Sequence, residues 1–161
     1  MQREPVTAFV ALGANLGDAR QAMLDAVNAL ARLPQTELTG CSRLYRTAPH
    51  EASGPDFTNA VARVSTRLTA PELLDALQTL ELQAGRERPY VNAPRTLDLD
   101  VLLYGDARMD SPRLTVPHPR MWGRAFVLHP LAELAPERIS SGALAVVNDQ
   151  AISPLAKVSV S

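Results

Sequence analysis

The sequence is best understood from the stretch Arg95-Thr96-Leu97-Asp98-Leu99-Asp100-Val101-Leu102-Leu103-Tyr104. As a β-strand, it alternates so that Leu97, Leu99, Val101 and Leu103 share one face, and the two aspartates share the other. At the rise of a strand, the aspartates lie about 6–7 Å apart. A hard divalent cation relieves the repulsion between two such carboxylates, and Arg95 suits the anionic oxygens that such a cation carries. The competing interpretation is a solvent-facing strand that binds nothing.

Length and composition set limits on the protein class. We expect one domain spanning residues 1–161, which is long enough for a sizeable core. A hydrophobic content of 46% and a net charge of −1 indicate an ordinary globular protein without a basic field for nucleic acid or an anionic membrane. The single cysteine, Cys41, excludes an internal disulfide and a multi-cysteine zinc site. Without a signal-peptide pattern or a long apolar run, we expect a cytoplasmic protein.

The basic residues are almost all arginine. Fifteen of the sixteen are arginine, and the one lysine is Lys157. The Gly-x-x-x-x-Gly-Lys pattern of a P-loop is therefore absent. If the protein binds phosphates, it does so with arginine and metal. A codon bias toward arginine explains the total equally well, but it does not explain where the arginines lie.

The order of predicted elements gives the fold class. Strands are predicted for Val6–Leu12, Glu37–Arg46, Phe57–Leu68 and the aspartate-bearing stretch, and helices for Ala19–Leu33, Thr69–Gly85 and Met121–Leu134. The Thr69–Glu72 capping box marks the start of the second helix. The order β-α-β-β-α-β predicts an α+β, ferredoxin-like antiparallel sheet flanked by helices. Gly13 and Gly17 predict a tight strand-to-helix turn, and residues 136–161 have no predicted element.

One group of residues suits phosphates. Phosphoryl chemistry depends on positioning and charge neutralisation, so it requires carboxylates for a metal and planar donors for phosphate oxygens. The candidates are Asp98, Asp100, Arg86, Arg95, Arg124 and His118. The histidine stands between two prolines, which stiffen its backbone. Taken singly, such arginines and histidines are more often surface or packing residues.

A second group suits a flat heteroaromatic ring. Phe57 supplies an aromatic face, and the carboxamide of Asn59 offers one donor and one acceptor to a ring edge. Phe126 could cover the other side of the ring. Each phenylalanine alone is more often a core residue.

Together these stretches resemble a known family, the 6-hydroxymethyl-7,8-dihydropterin pyrophosphokinases of folate biosynthesis, over roughly Phe9 to Glu137. The similar segments are Leu12-Gly13-Ala14-Asn15-Leu16-Gly17-Asp18, Tyr45-Arg46-Thr47-Ala48-Pro49, Asp56-Phe57-Thr58-Asn59-Ala60, Glu81-Leu82-Gln83-Ala84-Gly85-Arg86, Pro94-Arg95-Thr96-Leu97-Asp98-Leu99-Asp100, Leu114-Thr115-Val116-Pro117-His118-Pro119-Arg120-Met121 and Arg124-Ala125-Phe126-Val127-Leu128. The Pro-Arg-Thr-Leu-Asp-Leu-Asp run, followed at this distance by Val-Pro-His-Pro, is highly specific.

The resemblance implies an activity. ATP would donate its pyrophosphoryl group to the 6-hydroxymethyl oxygen of the pterin and leave as AMP, with attack at the β-phosphorus. We expect a monomer that binds these two substrates, and neither nucleic acid nor a membrane.

The resemblance also implies residue roles. Asp98 and Asp100 match ligands of two magnesium ions, Mg²⁺. The matching catalytic and triphosphate-binding positions are Arg86, Arg95, His118 and Arg124, with Asp100 also catalytic. The matching pterin-binding positions are Phe57 and Phe126 around the ring, Asn59 at its edge and Thr47 beside it. Gln78 and Val101 match positions near the adenine.

One segment departs from the family pattern. Asn92 and Ala93 stand where tryptophan and glycine usually precede Pro-Arg, and that tryptophan helps to seal the site. Either Tyr90 replaces it, or the site closes less tightly. We expect Arg86 to Pro94 to be a mobile lid that ATP and magnesium order before the pterin pocket is complete.

Three alternatives stay open at this point. A ferredoxin-like RNA-binding module would stack bases on sheet aromatics, but only 4% of this chain is aromatic. A phosphohydrolase would use the same two aspartates on another substrate and release phosphate from ATP without pterin. A descendant that has lost catalysis is the third, although Asp98, Asp100, Arg95 and His118 are all present.

Overall fold

The structure is a computed structural model, and it describes residues 3–15, 18–47, 56–84 and 97–155. Its strands and helices, in chain order, are β1 (Val6–Ala14), α1 (Ala19–Ala31), β2 (Thr36–Cys41), β3 (Tyr45–Thr47), β4 (Phe57–Thr66), α2 (Ala70–Gln83), β5 (Asp98–Tyr104), β6 (Met109–Asp110), β7 (Thr115–Val116), α3 (Ala125–Leu134), α4 (Ser141–Val146) and β8 (Ile152–Pro154). Short 3₁₀ helices span Met121–Gly123 and Pro136–Arg138. Within these ranges, no helix is long and apolar enough to cross a bilayer.

The main sheet has the strand order β5-β1-β4-β3-β8, and β2 also pairs with β4. Each of these pairs is antiparallel. The core thus follows the β-α-β-β-α-β order, and the prediction of an antiparallel sheet flanked by helices is confirmed. The pair β6–β7 forms a separate small ribbon.

Two apolar clusters cover the two faces of the sheet. One cluster joins Val10 and Leu99 of the sheet to Met23 of α1 and Leu73 and Leu77 of α2. The other joins Phe9, Val61 and Leu102 to Leu128 and Leu131 of α3. We call these the α1/α2 face and the α3 face. The Thr69–Glu72 capping box at the start of α2 is present as predicted, with reciprocal bonds of 3.2 and 2.8 Å.

The strand predicted for Glu37–Arg46 is divided in two. Ser42 separates β2 from β3, and its hydroxyl replaces a backbone group in the pairing with β4. The backbone N–H of Ser42 donates to the carbonyl of Val61 at 2.9 Å, while Ser42 Oγ accepts the N–H of Val61 at 3.0 Å. A side-chain oxygen in the ladder redirects the chain, which alternation of apolar residues cannot reveal.

The predicted common face of β5 is wrong at Leu103. Phe9 lies opposite Leu103 and Val10 opposite Val101, so Leu102 is an extra residue at a β-bulge. Leu97, Leu99 and Val101 face α1 and α2 as expected, but Leu102 and Leu103 both pack with the α3 cluster. The carbonyl of Leu102 accepts the backbone N–H of His118 at 2.9 Å.

The predicted helix from Met121 is wrong over its first turn. Met121–Gly123 is a 3₁₀ helix, and Arg124 is extended, with φ −126° and ψ 109°. The α-helix begins at Ala125. Residues 136–155, for which no element was predicted, supply α4 and the edge strand β8, which pairs with β3.

Candidate active site

The floor of the site is set by strand register. Gly13 of β1 lies opposite Asn59 of β4 on one side and Asp98 of β5 on the other. Directly paired residues point to the same face, so this row faces α3. In the next row, Ala11 lies opposite Asp100. At two strand spacings, the backbones of Asn59 and Asp98 are about 9–10 Å apart. A glycine between them leaves that space open.

A pocket of about 210 Å³ stands on this floor. Its lining residues are Ala11, Leu12, Gly13, Thr47, Phe57, Asn59, Asp98, Asp100, Arg124 and Phe126. Asp98, Asp100 and Arg124 of the predicted phosphate-binding group therefore share one cavity with the predicted ring-binding residues, whereas His118 is not among the described residues that line it. The carboxylates lie toward β5, and the ring-binding candidates lie toward β3 and β4.

The buried polar pair of the pocket is Asn59 and Thr47. Asn59 Nδ2 lies 2.6 Å from Thr47 Oγ1, and the two residues are only 5% and 6% exposed. Thr47 lies opposite Phe57, so the same pair of strands presents an aromatic ring beside the amide. A Cβ added to Gly13 would stand 2.9 Å from Asn59 Oδ1, which is closer than such contacts occur. Because glycine has no Cβ, position 13 leaves room for the Asn59 carboxamide.

Arg124 and Phe126 come from the start of α3. The guanidinium carbon of Arg124 lies 5.4 Å from the centre of the Phe126 ring, within the range of a cation–π contact. Both side chains line the pocket. The extended backbone at Arg124 separates the 3₁₀ helix from α3 and presents a cation and a ring side by side.

Asp98 and Asp100 lie on the α3 face of β5, as the strand parity predicts. Asp98 is half-buried and Asp100 is exposed, and both line the pocket. In the described part of the chain, no group of three or more histidine, cysteine or acidic side chains is placed to hold a metal. Two carboxylates beside open space nevertheless suit magnesium, which usually keeps several waters and takes its other ligands from substrate phosphates. The donor set fits that ion.

A third carboxylate supports this strand from the other face. The N–H of Leu99, between the two aspartates, donates to Glu81 Oε2 at 2.8 Å, and Glu81 is only 4% exposed. Glu81 belongs to α2 and lies on its buried side with Leu73 and Leu77. A buried carboxylate thus holds the backbone at the centre of the Asp-Leu-Asp run.

His118 is half-buried, and the charged residues of the site affect its pKa. Burial is the main cause that lowers its pKa below the usual 6.5; the cations Arg124 and Arg120 lower it further, and the charge of Asp100 opposes them. Its Nδ1 accepts the backbone N–H of Arg120 at 3.2 Å. The neutral ring therefore carries its proton on Nε2 and acts there as a hydrogen-bond donor.

The two residues predicted to lie near the adenine do not line this pocket. Gln78 is exposed on α2, and Val101 is 2% exposed within the α1/α2 core, on the face opposite Asp100. Their place near an adenine stays a prediction. Arg86 and Arg95 lie outside the described residues, and so does the predicted lid with Tyr90 and Asn92.

Two residues that shape the site, Gly13 and Glu81, are not among the site residues predicted from the sequence. Gly13 is predicted to lie in a turn, whereas it forms the pocket floor within β1. Glu81 has no predicted role in the site. Its signal was present: it follows Leu73 and Leu77 at spacings of four, so a carboxylate falls on the buried stripe of a helix.

Comparison with known proteins gives a consistent result. Residues 9–136 match the family model described as 7,8-dihydro-6-hydroxymethylpterin-pyrophosphokinase (HPPK). A Pseudomonas aeruginosa protein named 2-amino-4-hydroxy-6-hydroxymethyldihydropteridine pyrophosphokinase is 51% identical over 130 residues, covering 80% of each chain. A Haemophilus influenzae protein of the same name is 40% identical over 153 residues, covering 94% of this chain and 92% of that one.

Solved structures share the fold. A triple mutant of Plasmodium falciparum HPPK-DHPS with STZ-DHP superposes with a TM-score of 0.70 at 13% identity. The match covers 92% of this chain and 44% of that one, so the present chain spans less than half of that protein. At this identity, the similarity concerns the fold alone.

Proposed function

Because the chain belongs to the 7,8-dihydro-6-hydroxymethylpterin-pyrophosphokinase family, it is an enzyme that transfers a pyrophosphoryl group to hydroxymethyldihydropterin in folate synthesis, and we propose that the pocket on the α3 face is where this occurs. The observation that carries the proposal is the row Asn59–Gly13–Asp98. An amide that suits the edge of a ring and a carboxylate that suits a metal ion stand at the two ends of this row.

The ring would lie at the β3–β4 end. Asn59 offers a carbonyl oxygen and an N–H to the polar edge of a pterin, and its bond to Thr47 holds the amide in one orientation. Phe57 and Phe126 supply apolar faces for a flat ring. The 6-hydroxymethyl group would then point along the floor toward β5.

The triphosphate would lie at the β5 end. ATP is the proposed donor: a bond forms between the hydroxymethyl oxygen and the β-phosphorus, and the bond from that phosphorus to the α–β bridging oxygen breaks. The bridging oxygen leaves with AMP, and the hydroxyl proton is released. Arg124, which lines the pocket, would bind phosphate oxygens. Neutral His118 would donate a hydrogen bond from Nε2.

The metal-binding groups would be Asp98 and Asp100, which together would hold two Mg²⁺ ions. Bound magnesium neutralises phosphate charge and makes the hydroxyl more acidic. The protein's own part is to hold both carboxylates on one face of a strand whose backbone Glu81 fixes at Leu99. Arg86 and Arg95 complete the proposed cationic set, and an ordered lid from Arg86 to Pro94 would exclude water. A monomeric state and a cytoplasmic location belong to the same proposal.

The decisive experiment measures nucleotide products from ATP, Mg²⁺ and 6-hydroxymethyl-7,8-dihydropterin. The native enzyme should release AMP only when the pterin is present, and Asp98→Ala should abolish this. Asp106→Ala is the matched control, because Asp106 is an exposed carboxylate in the turn after the same strand. The control should retain native turnover. Phosphate or ADP released without pterin would instead establish hydrolysis and overturn the proposal.

A further inference from the structure

We propose that Gln150 is a positioning residue that holds Arg124 in place for pyrophosphoryl transfer. The inference rests on the proposed function for its catalytic consequence, but its structural basis is independent of it. Gln150 lies beyond residue 136, where the match to the family model ends.

Gln150 hydrogen-bonds both peptide groups that flank Arg124. Its Oε1 accepts the N–H of Ala125 at 2.9 Å, and its Nε2 donates to the carbonyl of Gly123 at 2.9 Å. One side-chain amide thus spans the residue before and the residue after the arginine. Both contacts are to backbone, so they constrain the conformation at position 124 itself.

The start of α3 requires such an acceptor from elsewhere. The first N–H groups of a helix have no partner within it, and an N-cap serine, threonine, aspartate or asparagine usually accepts one of them. Here the N-cap residue is Arg124, whose guanidinium has donors only, and its side chain makes no capping bond. A cation at the positive end of a helix dipole is also unfavourable. Gln150 supplies an acceptor for the N–H of Ala125, the first residue of α3, while the side chain of Arg124 lines the pocket.

The segment that carries Gln150 is fixed at both ends. On one side, the N–H of Gln150 donates to the carbonyl of Val147 at 3.1 Å, and Val147 is fully buried in the α3 cluster. On the other side, Ile152 of β8 pairs with Thr47 of β3, the residue that contacts Asn59. Residues 147–152 therefore connect the arginine side of the pocket to its ring-binding side.

Removing the amide should loosen the extended backbone at Arg124 while leaving the core intact. Gln150→Met keeps the length of the side chain and removes both bonds. Because Gln150 is only half-buried, we expect the fold to persist. We expect kcat/KM for ATP to fall about tenfold, since two bonds that hold the catalytic backbone are lost. Gln150→Glu keeps the acceptor for Ala125 and loses the donor, so it should restore part of the loss.

The test combines kinetics with hydrogen exchange. Amide exchange at Ala125 in the ligand-free protein should quicken by about tenfold or more in Gln150→Met, and remain native in Asp149→Ala, an exposed neighbour that serves as the control. kcat/KM for ATP should likewise fall in Gln150→Met and remain native in Asp149→Ala. In an Arg124→Ala background, Gln150→Met should add little further loss, because both changes act on the same group.

Each result decides between the proposals. Faster exchange at Ala125 with unchanged kinetics would make Gln150 a structural cap only and overturn the positioning role. Equal kinetic losses in the native and Arg124→Ala backgrounds would overturn it as well. If the native enzyme made no pterin-dependent AMP, the proposed function would fail. The exchange at Ala125 and the affinity for a non-hydrolysable ATP analogue would then still show whether Gln150 acts through Arg124.

Discussion

Replacing Gly13 with alanine should impair pterin binding while leaving ATP binding nearly unchanged. The new Cβ would stand 2.9 Å from Asn59 Oδ1, and no other atom of the described residues lies within 4 Å of it. Gly13 does not have the left-handed φ that Gly105 shows at +54°, so alanine imposes no backbone strain. The effect should therefore pass through the Asn59 side chain.

The size of the effect follows from the bond that Asn59 makes. To relieve the contact, the carboxamide must rotate or withdraw, which lengthens or breaks its 2.6 Å bond to Thr47. Losing a hydrogen bond between buried groups costs about 1 kcal/mol, and up to about 3 kcal/mol when a partner is left unsatisfied. The same misplacement removes the amide from the pterin edge. We expect KM for the pterin to rise roughly 5- to 150-fold.

The assay is steady-state AMP formation with each substrate varied in turn. KM for ATP should stay within about twofold of native, because the added methyl group meets nothing on the β5 side. The free energy of unfolding should fall by roughly 1–3 kcal/mol through the lost Asn59–Thr47 bond, offset by about 0.5–1 kcal/mol because alanine is more favourable than glycine within a strand. Gly142→Ala in α4 is the matched control: its Cβ would meet only Ser140 Oγ, at an ordinary 3.8 Å.

A double variant provides the refutation. If Gly13→Ala acts by displacing the carboxamide, adding it to Asn59→Ala should change the pterin KM no further. Additive losses would show that the methyl group obstructs something other than Asn59. An equal rise in KM for ATP would show that the floor does not separate the two substrates, and either result would refute the reasoning.

Three further predictions follow from protonation and capping. By NMR, His118 should titrate below 6.5, and Asp100→Asn should lower its pKa further, because the aspartate charge raises it; a rise would contradict this. Thr69→Ala should reduce the free energy of unfolding by about 1 kcal/mol at pH 7 in urea. The backbone N–H of Thr69, and then its hydroxyl, lower the pKa of Glu72 in the native state, and the variant loses the hydroxyl's share. That share is present above the unfolded value of 4.5 and is lost as the pH falls through the folded pKa, so the native–variant difference should shrink there. Burial, and then Glu133, raise the pKa of Cys41 to about 11, so alkylation by iodoacetamide should be slow at pH 7.5 and quicken about tenfold per pH unit.

Local periodicity was enough to predict the carboxylate pair. Side chains alternate along a strand whatever its neighbours, so Asp98 and Asp100 had to share a face. Leu103 fails the same rule because a bulge depends on how β5 pairs with β1, and the β5 residues alone do not encode that register. The prediction for β5 therefore fails at the residue where pairing with β1, rather than alternation along β5, decides which face the side chain occupies.

The error at the start of α3 has a comparable cause. The largely apolar segment from Met121 onward favours a helix, and although Gly123 weakens it locally, no neighbouring residue specifies an extended Arg124. The acceptor that caps Ala125 comes from Gln150, 25 residues along the chain and in a segment with no predicted element. Gly13 shows the same dependence: its own surroundings indicate a turn, and only its pairing with Asn59 and Asp98 reveals the pocket floor.

The site thus has two parts that are held in different ways. The Asn59–Gly13–Asp98 row depends on the register of β1, β4 and β5. The buried α1/α2 face requires the same register, because a slip of one residue would turn Val10 and Leu12 away from the core. Distorting that row therefore means destabilising the fold. His118 and Arg124 lie outside the sheet. The backbone N–H of His118 is bonded to Leu102, and the two peptide groups that flank Arg124 are bonded to Gln150. Changes at these supports should weaken the proposed phosphate binding without unfolding the protein, whereas the core itself maintains the half of the site that lies on the sheet.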